Sequence, residues 1–411
     1  MSSTDHPALR LRTPIDARPI IHGNRRYTLL RDPLGLTTKT LLIPEALTPA
    51  LGLLDGTRDA ATLRGSLAVR FGLLLPASEI ENLLQSLDDA LLLDNERFTT
   101  VYRQALQAYR QAPARPLSCA PHVYPTEPER LHNLLEGFRS IATQNNGTSN
   151  AVQPVRGLLS PHIDYARGGP VYAQVWEAAR EAAQQAELVV IFGTDHFGGE
   201  QLFTLTRQDY STPYGSLPTS QEAVSALAQV IGEEDAFAGE IRHRGEHSVE
   251  LAAVWLHHIR GGEPVELLPV LCGSFSKFLN NHSRPQEDET VQSFLRALKR
   301  LSARRKTLVV AAGDLSHVGP AFGSVPLDQS AKTALRHADQ ELINRMQAGD
   351  AEGFYDVIQR QDDRNNVCGL APIYLTLRAL ERTRGHSLSY DMCPADKQNT
   401  SVVSIAGVLF K

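Results

Sequence analysis

Three stretches of this chain share one layout, an apolar run of strand length that stops at a histidine. They are Arg156-Gly-Leu-Leu-Ser-Pro-His162, Leu188-Val-Val-Ile-Phe-Gly-Thr-Asp-His196 and Thr307-Leu-Val-Val-Ala-Ala-Gly-Asp-Leu-Ser-His317. Runs that are apolar at nearly every position belong to strands covered on both faces, which means a largely parallel sheet between helices. In such a sheet the ligand crevice lies beyond the carboxyl ends of the strands. Histidines at three strand ends, with Asp195 and Asp314 beside them, point to a metal centre or an acid–base site rather than to core filling.

Helical patterns fill the intervals. Val171, Val175, Ala179 and Ala183 form one stripe, and helices are expected near Gln221, Ser248 and Glu289 and over most of 328–384. Further strands are expected at Val265–Cys272, Leu388–Met392 and Val402–Phe410. The fold class that follows is α/β, with a mostly parallel or mixed sheet covered on both faces. Prolines 113, 116, 121, 125 and 128 interrupt the chain and set a domain boundary near residue 116. Residues 1–115 then read as a small helix-rich α+β domain. Its hairpin runs from Tyr27 to Ile43 around Asp32-Pro-Leu-Gly35; Leu63, Leu67 and Phe71 share one helical face, and Ile80, Leu83, Leu84 and Leu87 another. Residues 119–411 form the larger domain.

At 411 residues the chain exceeds one compact core. Its net charge of -5 gives no reason to expect nucleic acid or an anionic membrane as partner. Met1-Ser-Ser-Thr-Asp-His-Pro lacks the basic start and apolar stretch of a signal peptide, and no run approaches the roughly 20 apolar residues of a bilayer span. Cys119, Cys272, Cys368 and Cys393 are too scattered for a disulfide framework. A cytoplasmic location with reduced thiols is expected.

Taken singly, each candidate residue has a plain structural alternative. His162, in Ser160-Pro-His-Ile-Asp-Tyr165, can cap the next helix; His196 follows a loop glycine at Gly193. Asp314 and His317 can meet on one helical turn, or Asp314 can be an N-cap. In Glu246-His-Ser-Val-Glu250, Ser248 is the expected cap, which leaves Glu246 and His247 to point into a site. Cys368 precedes the apolar helix from Ile373 to Leu380, where a helix dipole favours thiolate; a buried inert cysteine is the alternative. Two imidazoles and one anion from separate strand ends make a common divalent-metal set. Cys-x-x-Cys pairs, a Walker loop, a dinucleotide fingerprint and Gly-x-Ser-x-Gly are absent, so structural zinc, nucleotide binding and serine hydrolysis lack support.

Five motifs stand together in order: Ser160-Pro-His162, Gly193-Thr-Asp-His196, Glu246-His-Ser-Val-Glu250, Gly313-Asp-Leu-Ser-His317 and Cys368-Gly-Leu-Ala-Pro372. This series resembles the Memo family, called AmmeMemoRadiSam system protein B in bacteria. Ala120-Pro-His-Val-Tyr-Pro125 resembles that family's opening, and Asn399-Thr-Ser-Val-Val-Ser-Ile-Ala-Gly407 its last strand. The resemblance covers about 119–411. It implies a three-layer αβα fold shared with class III extradiol dioxygenases. It also implies an iron or copper ion held by His162, His196 and Cys368, with Asp314 and His317 as a nearby polar pair. Two departures stand out: Phe197 replaces a second histidine common in the family, and Asp164 replaces a glycine. Separately, Leu54-Asp-Gly-Thr-Arg58 and Ala90-Leu-Leu-Leu-Asp94 resemble parts of PqqD-type winged-helix domains.

The resemblance implies a metal-dependent oxidoreductase of extradiol-dioxygenase type acting on a small molecule. Fe(II) is the expected ion, with copper or zinc as alternatives. His317, oriented by Asp314, is the expected general base and then acid. Glu246, His247, Asp164 and Tyr165 are expected to shape the pocket or bind substrate. A peptide at the amino-terminal domain and a radical-SAM partner are further expectations. Two rival functions remain: a non-catalytic ligand- or peptide-binding module, and a zinc-dependent hydrolase.

Overall fold

The computed structural model describes residues 8–145 and 154–411, so the amino-terminal heptapeptide lies outside the described residues. Two compact units emerge: residues up to Gln111 together with Phe197–Gly199, and Ala112–His196 together with Glu200–Lys411.

The first unit is α+β. Strands β1 (Asp16–His22), β2 (Arg25–Arg31) and β3 (Thr40–Pro44) form an antiparallel sheet in that order. The expected hairpin is β2–β3, with Leu30 opposite Leu41. Its turn is tied by the Asp32 carboxylate, which accepts the backbone N–H groups of Leu34, Leu36 and Thr37. Helices Ala60–Phe71 and Ala77–Asp89 bury Leu63, Leu67, Ile80, Leu83 and Leu87. Phe71, expected on the same face, is 49 % exposed, because Gly72 ends the helix there in a left-handed conformation.

The second unit is a three-layer αβα body. Its strands are β4 (Gly157–Ser160), β5 (Leu188–Thr194), β6 (Phe203–Leu205), β7 (Tyr210–Thr212), β8 (Gly215–Leu217), β9 (Glu266–Cys272), β10 (Thr307–Ala312), β11 (His317–Val318), β12 (Gly385–Pro394) and β13 (Val402–Phe410). Among the described residues eight of these form one sheet, in the order β11-β13-β4-β10-β5-β9-β6 with β12 beside β13; β7 and β8 pair separately. The centre, β4-β10-β5-β9, is parallel, and its flanks are antiparallel. The sheet is therefore mixed.

Strand alternation builds two cores. Val190, Phe192, Val309 and Ala311 pack toward helices Gln221–Ile231, Glu289–Ser302 and Leu370–Leu380. Val189, Ile191, Leu308 and Val310 pack toward helices Tyr165–Ala178 and His247–Ile259. Each buried Val, Leu or Ile contributes about 1.5–3 kcal/mol, so this double burial fixes strand register strongly. Register in turn aligns the carboxyl ends of four parallel strands, at Ser160, Ala312, Thr194 and Cys272. Among the described residues no helix is long and apolar enough to cross a membrane.

Candidate metal centre

The chain leaves β4 through Pro161 and places His162 in the interior, 2 % exposed. The Asp314 carboxylate, just beyond β10, accepts the backbone N–H groups of His162 at 2.8 Å and Ile163 at 3.3 Å. That bond ties two strand-end loops together. The His162 ring is fixed by Nδ1, 3.0 Å from the Ala312 carbonyl. A carbonyl only accepts, so Nδ1 carries the proton and Nε2 presents a lone pair. Nε2 lies 3.1 Å from Cys368 Sγ and 3.7 Å from Asp314 Oδ2. Burial, reinforced by His196 and His247, pushes the His162 pKa well down and keeps the ring neutral. Burial also lifts Asp314 to about 6, against the pull of its backbone donors.

His196, beyond β5, is held by Glu246. Oε2 accepts the His196 backbone N–H at 2.9 Å, and Oε1 lies 3.0 Å from His196 Nδ1. Oε1 also lies 3.2 Å from His247 Nδ1 and accepts the Ser248 backbone N–H at 3.0 Å. Glu246 is thus the N-cap of helix His247–Ile259, a role expected of Ser248. The Ser248 hydroxyl instead donates to the Thr194 carbonyl at 2.9 Å. This approach requires Gly193: a Cβ there would sit 2.6 Å from Ser248 Oγ and from Val249 Cγ2. Burial opposes charge on Glu246, but His196 and His247 outweigh it and hold the carboxyl well below its usual range. Burial likewise opposes charge on His196, and Glu246 overrides it, raising that pKa well above the usual value.

Cys368 arrives on the loop before helix Leu370–Leu380, whose N-cap is Gly369. Gly313 and Gly369 meet back to back, since a Cβ on Gly313 would lie 2.8 Å from the Gly369 Cα. The Thr194 hydroxyl donates to the Cys368 carbonyl at 3.0 Å. The expected dipole-favoured thiolate is overridden: burial raises the Cys368 pKa, with His196 pulling the other way.

Two overlapping groups of donors result, His162–His196–His247 and His162–Asp314–Cys368. Within each, the ligand atoms lie within 4.8 Å of one another. The rings of His162 and His196 are 4.8 Å apart at their centroids, and those of His196 and His247 4.6 Å. His247, expected to shape the pocket, joins the imidazole group. A cavity of about 500 Å³ opens beside these donors, lined by His196, His317 and Cys368 with Phe275, Phe322 and Asn366. That size suits a small molecule.

Three expectations about contacts are corrected. Asp314 and His317 do not meet on a helical turn: the segment between them is a loop, and His317 opens β11 opposite Val403. Asp314 engages the His162 loop, so it does not orient His317, whose Nδ1 lies 3.3 Å from the Leu315 carbonyl. Asp164 caps helix Tyr165–Ala178 and pairs with Arg167 at 2.6 Å, so its carboxylate is engaged by its own helix start. Tyr165 is buried among Tyr124, Tyr172 and Trp255, and its hydroxyl donates to the Leu251 carbonyl at 2.7 Å. Neither Asp164 nor Tyr165 lines the cavity. Asp195 is bound by Arg242 at 2.7 Å, and Glu250 by Arg115, so both carboxylates belong to buried ion pairs. Sequence reasoning missed Phe275, in the loop after β9; the strand-end rule that found the histidines applies there equally.

The model of the Memo-like protein family matches residues 115–409. The chain belongs to the Memo-like family. A MEMO1 family protein of Aquifex aeolicus is 28% identical over 394 residues, covering 93% of this chain and 95% of its own length. One from Methanopyrus kandleri is 26% identical, covering 70% of this chain and 95% of its own length. One from Thermus thermophilus is 27% identical, covering 78% and 90%. The Aquifex match is too long to leave out the amino-terminal unit, whereas the Methanopyrus match is about the size of the Memo-like region. All five Memo-type motifs fall inside the matched residues.

Proposed function

We propose that this Memo-like protein binds a metal ion through His162, His196 and Cys368 and acts as an oxidoreductase of extradiol-dioxygenase type on a small molecule. The observation that carries this reading is the approach of His162 Nε2 to Cys368 Sγ at 3.1 Å, made by the loop after β4 and the loop before helix Leu370–Leu380. The donor chemistry fits a transition metal. Both imidazoles have Nδ1 anchored, to the Ala312 carbonyl and to Glu246, which leaves Nε2 as the ligand atom. Such outer anchoring is the rule for metal-binding histidines. Imidazole and thiolate suit iron, copper and zinc. Bound Fe(II) would supply Lewis acidity and one-electron chemistry toward dioxygen.

The protein's own groups do the rest. Burial pushes His317 down to about 4, so at neutral pH its imidazole is unprotonated. On the cavity wall it is able to take a proton from a substrate hydroxyl and return it as a strong acid. Phe275 and Phe322 give the cavity apolar walls that hold a ring and exclude water. Glu246 keeps His196 and His247 in place throughout. The test is metal content after anaerobic purification, compared with His162→Ala and Cys368→Ser, followed by oxygen uptake with a panel of catechols. Unchanged stoichiometry in both variants rejects the ligand assignment. Silence toward catechols with a loaded site favours a binding module instead.

A second ligand set is supported by His247, whose Nδ1 lies 3.2 Å from the same Glu246 oxygen that faces His196. Three imidazoles would suit zinc and hydrolysis. Turnover with Zn(II) under strictly anaerobic conditions selects that alternative.

A further inference from the structure

Within the second unit, helix His247–Ile259 starts at Glu246 and His247 and ends in a different environment. Its last turn carries His257 and His258. There His258 meets helix Pro128–Asn145, on which His132 and Glu136 are four residues apart and share a face. His258 Nε2 lies 3.3 Å from Glu136 Oε1. The rings of His132 and His258 are 5.3 Å apart at their centroids. The ligand atoms of all three lie within 4.8 Å of one another. Behind His258, Nδ1 is 3.1 Å from the Tyr214 hydroxyl, which holds the ring with Nε2 toward the other two.

We propose that His132, Glu136 and His258 form a second metal site, for a divalent ion of the zinc class, that clips the two helices together. Two imidazoles and a carboxylate are a common set for such ions. Tetrahedral bonds of about 2.0–2.1 Å separate donors by about 3.4 Å, so His258 and Glu136 already stand at ligand spacing. His132 is exposed and closes the set by a side-chain rotation. Arg139 also binds Glu136, with Nη1 3.0 and 2.8 Å from its two oxygens. One carboxylate oxygen goes to the ion and the other stays with Arg139. His247 and His258 are separated by eleven residues of helix, a rise of roughly 17 Å, so this site is distinct from the centre at the strand ends.

The test is titration of the full-length, metal-free chain with Zn(II), read by calorimetry and thermal unfolding. His132→Ala and Glu136→Gln are each expected to bind one equivalent fewer than the unmodified chain. Tyr214→Phe should bind that equivalent about tenfold more weakly. His132→Ala should unfold at the unmodified temperature without zinc and show a smaller zinc-induced rise than the unmodified chain. His162→Ala should retain this equivalent, so failure of the first centre reads separately. Equal zinc stoichiometry and affinity in the unmodified, His132→Ala and Glu136→Gln chains would overturn the proposal, as would no zinc binding in His162→Ala.

Discussion

Glu246 grips His196 at two points, the backbone N–H at 2.9 Å and the ring Nδ1 at 3.0 Å. One buried carboxylate therefore sets both where the His196 residue sits and which ring nitrogen faces the donors. Because Glu246 also caps helix His247–Ile259, the helix start and the strand end are a single assembly.

Replacing that carboxylate by an amide keeps the shape and removes the charge. Glu246→Gln is expected to weaken metal binding by about 10–100-fold while leaving the fold intact. Competitive titration against a chelator measures it. Wild-type affinity in this variant would show that Glu246 has no part in orienting the ligands.

The close packing at Gly193 gives a prediction on stability. An added methyl in Gly193→Ala meets Ser248 Oγ and Val249 Cγ2, so overpacking should cost about 1–3 kcal/mol. Urea unfolding reads the loss, and metal affinity should fall with it, since the helix start must shift. Unchanged stability would mean that the approach of β5 to the helix is loose.

Tyr165 separates core from site. Tyr165→Phe removes the bond to the Leu251 carbonyl and should cost about 1 kcal/mol of stability. Metal content and any turnover should stay at wild-type levels. A selective loss of substrate affinity, with stability unchanged, would place the hydroxyl in substrate binding after all.

Stability should fall on mild acidification. Burial pushes His243 down to about 3, despite its acceptor at the Thr204 carbonyl, and His317 down to about 4. Below the ordinary histidine value of 6.5 the unfolded chain takes up protons that these folded imidazoles refuse. Their contribution is therefore complete above 6.5 and is lost as pH falls toward the folded values, at up to about 1.4 kcal/mol per pH unit for His243. His196 and Asp314 have the opposite sign. The raised pKa of His196 places its effect above 6.5, and Asp314, lifted to about 6, offsets at most one of the two imidazoles, so the net change is still a loss. Urea midpoints between pH 6.5 and 5.5 test this, and a flat profile contradicts it.

How much of this was legible before folding depended on how local each signal is. The central strands β5, β9 and β10 were readable because burial on both faces writes an apolar residue at nearly every position. Strand β1 was not, since it is largely exposed and carries Pro19. The three-residue strands β6, β7 and β8 are too short to show a period. Histidines 162, 196 and 317 were found because a strand end marks the crevice without further geometry. The partners of those histidines were not. Ser248 is the stronger local cap signal, and only the approach of β5 gives that role to Glu246. Asp314 stands three residues from His317 in sequence, yet it binds across the sheet to His162, a pairing set by strand order alone.

The most direct test of the account is X-ray absorption at the metal edge of anaerobically purified protein, beside Cys368→Ser. The account predicts a metal–sulfur distance of about 2.3 Å in the wild type and its disappearance in the variant. A loaded wild-type centre with only nitrogen and oxygen neighbours would contradict it.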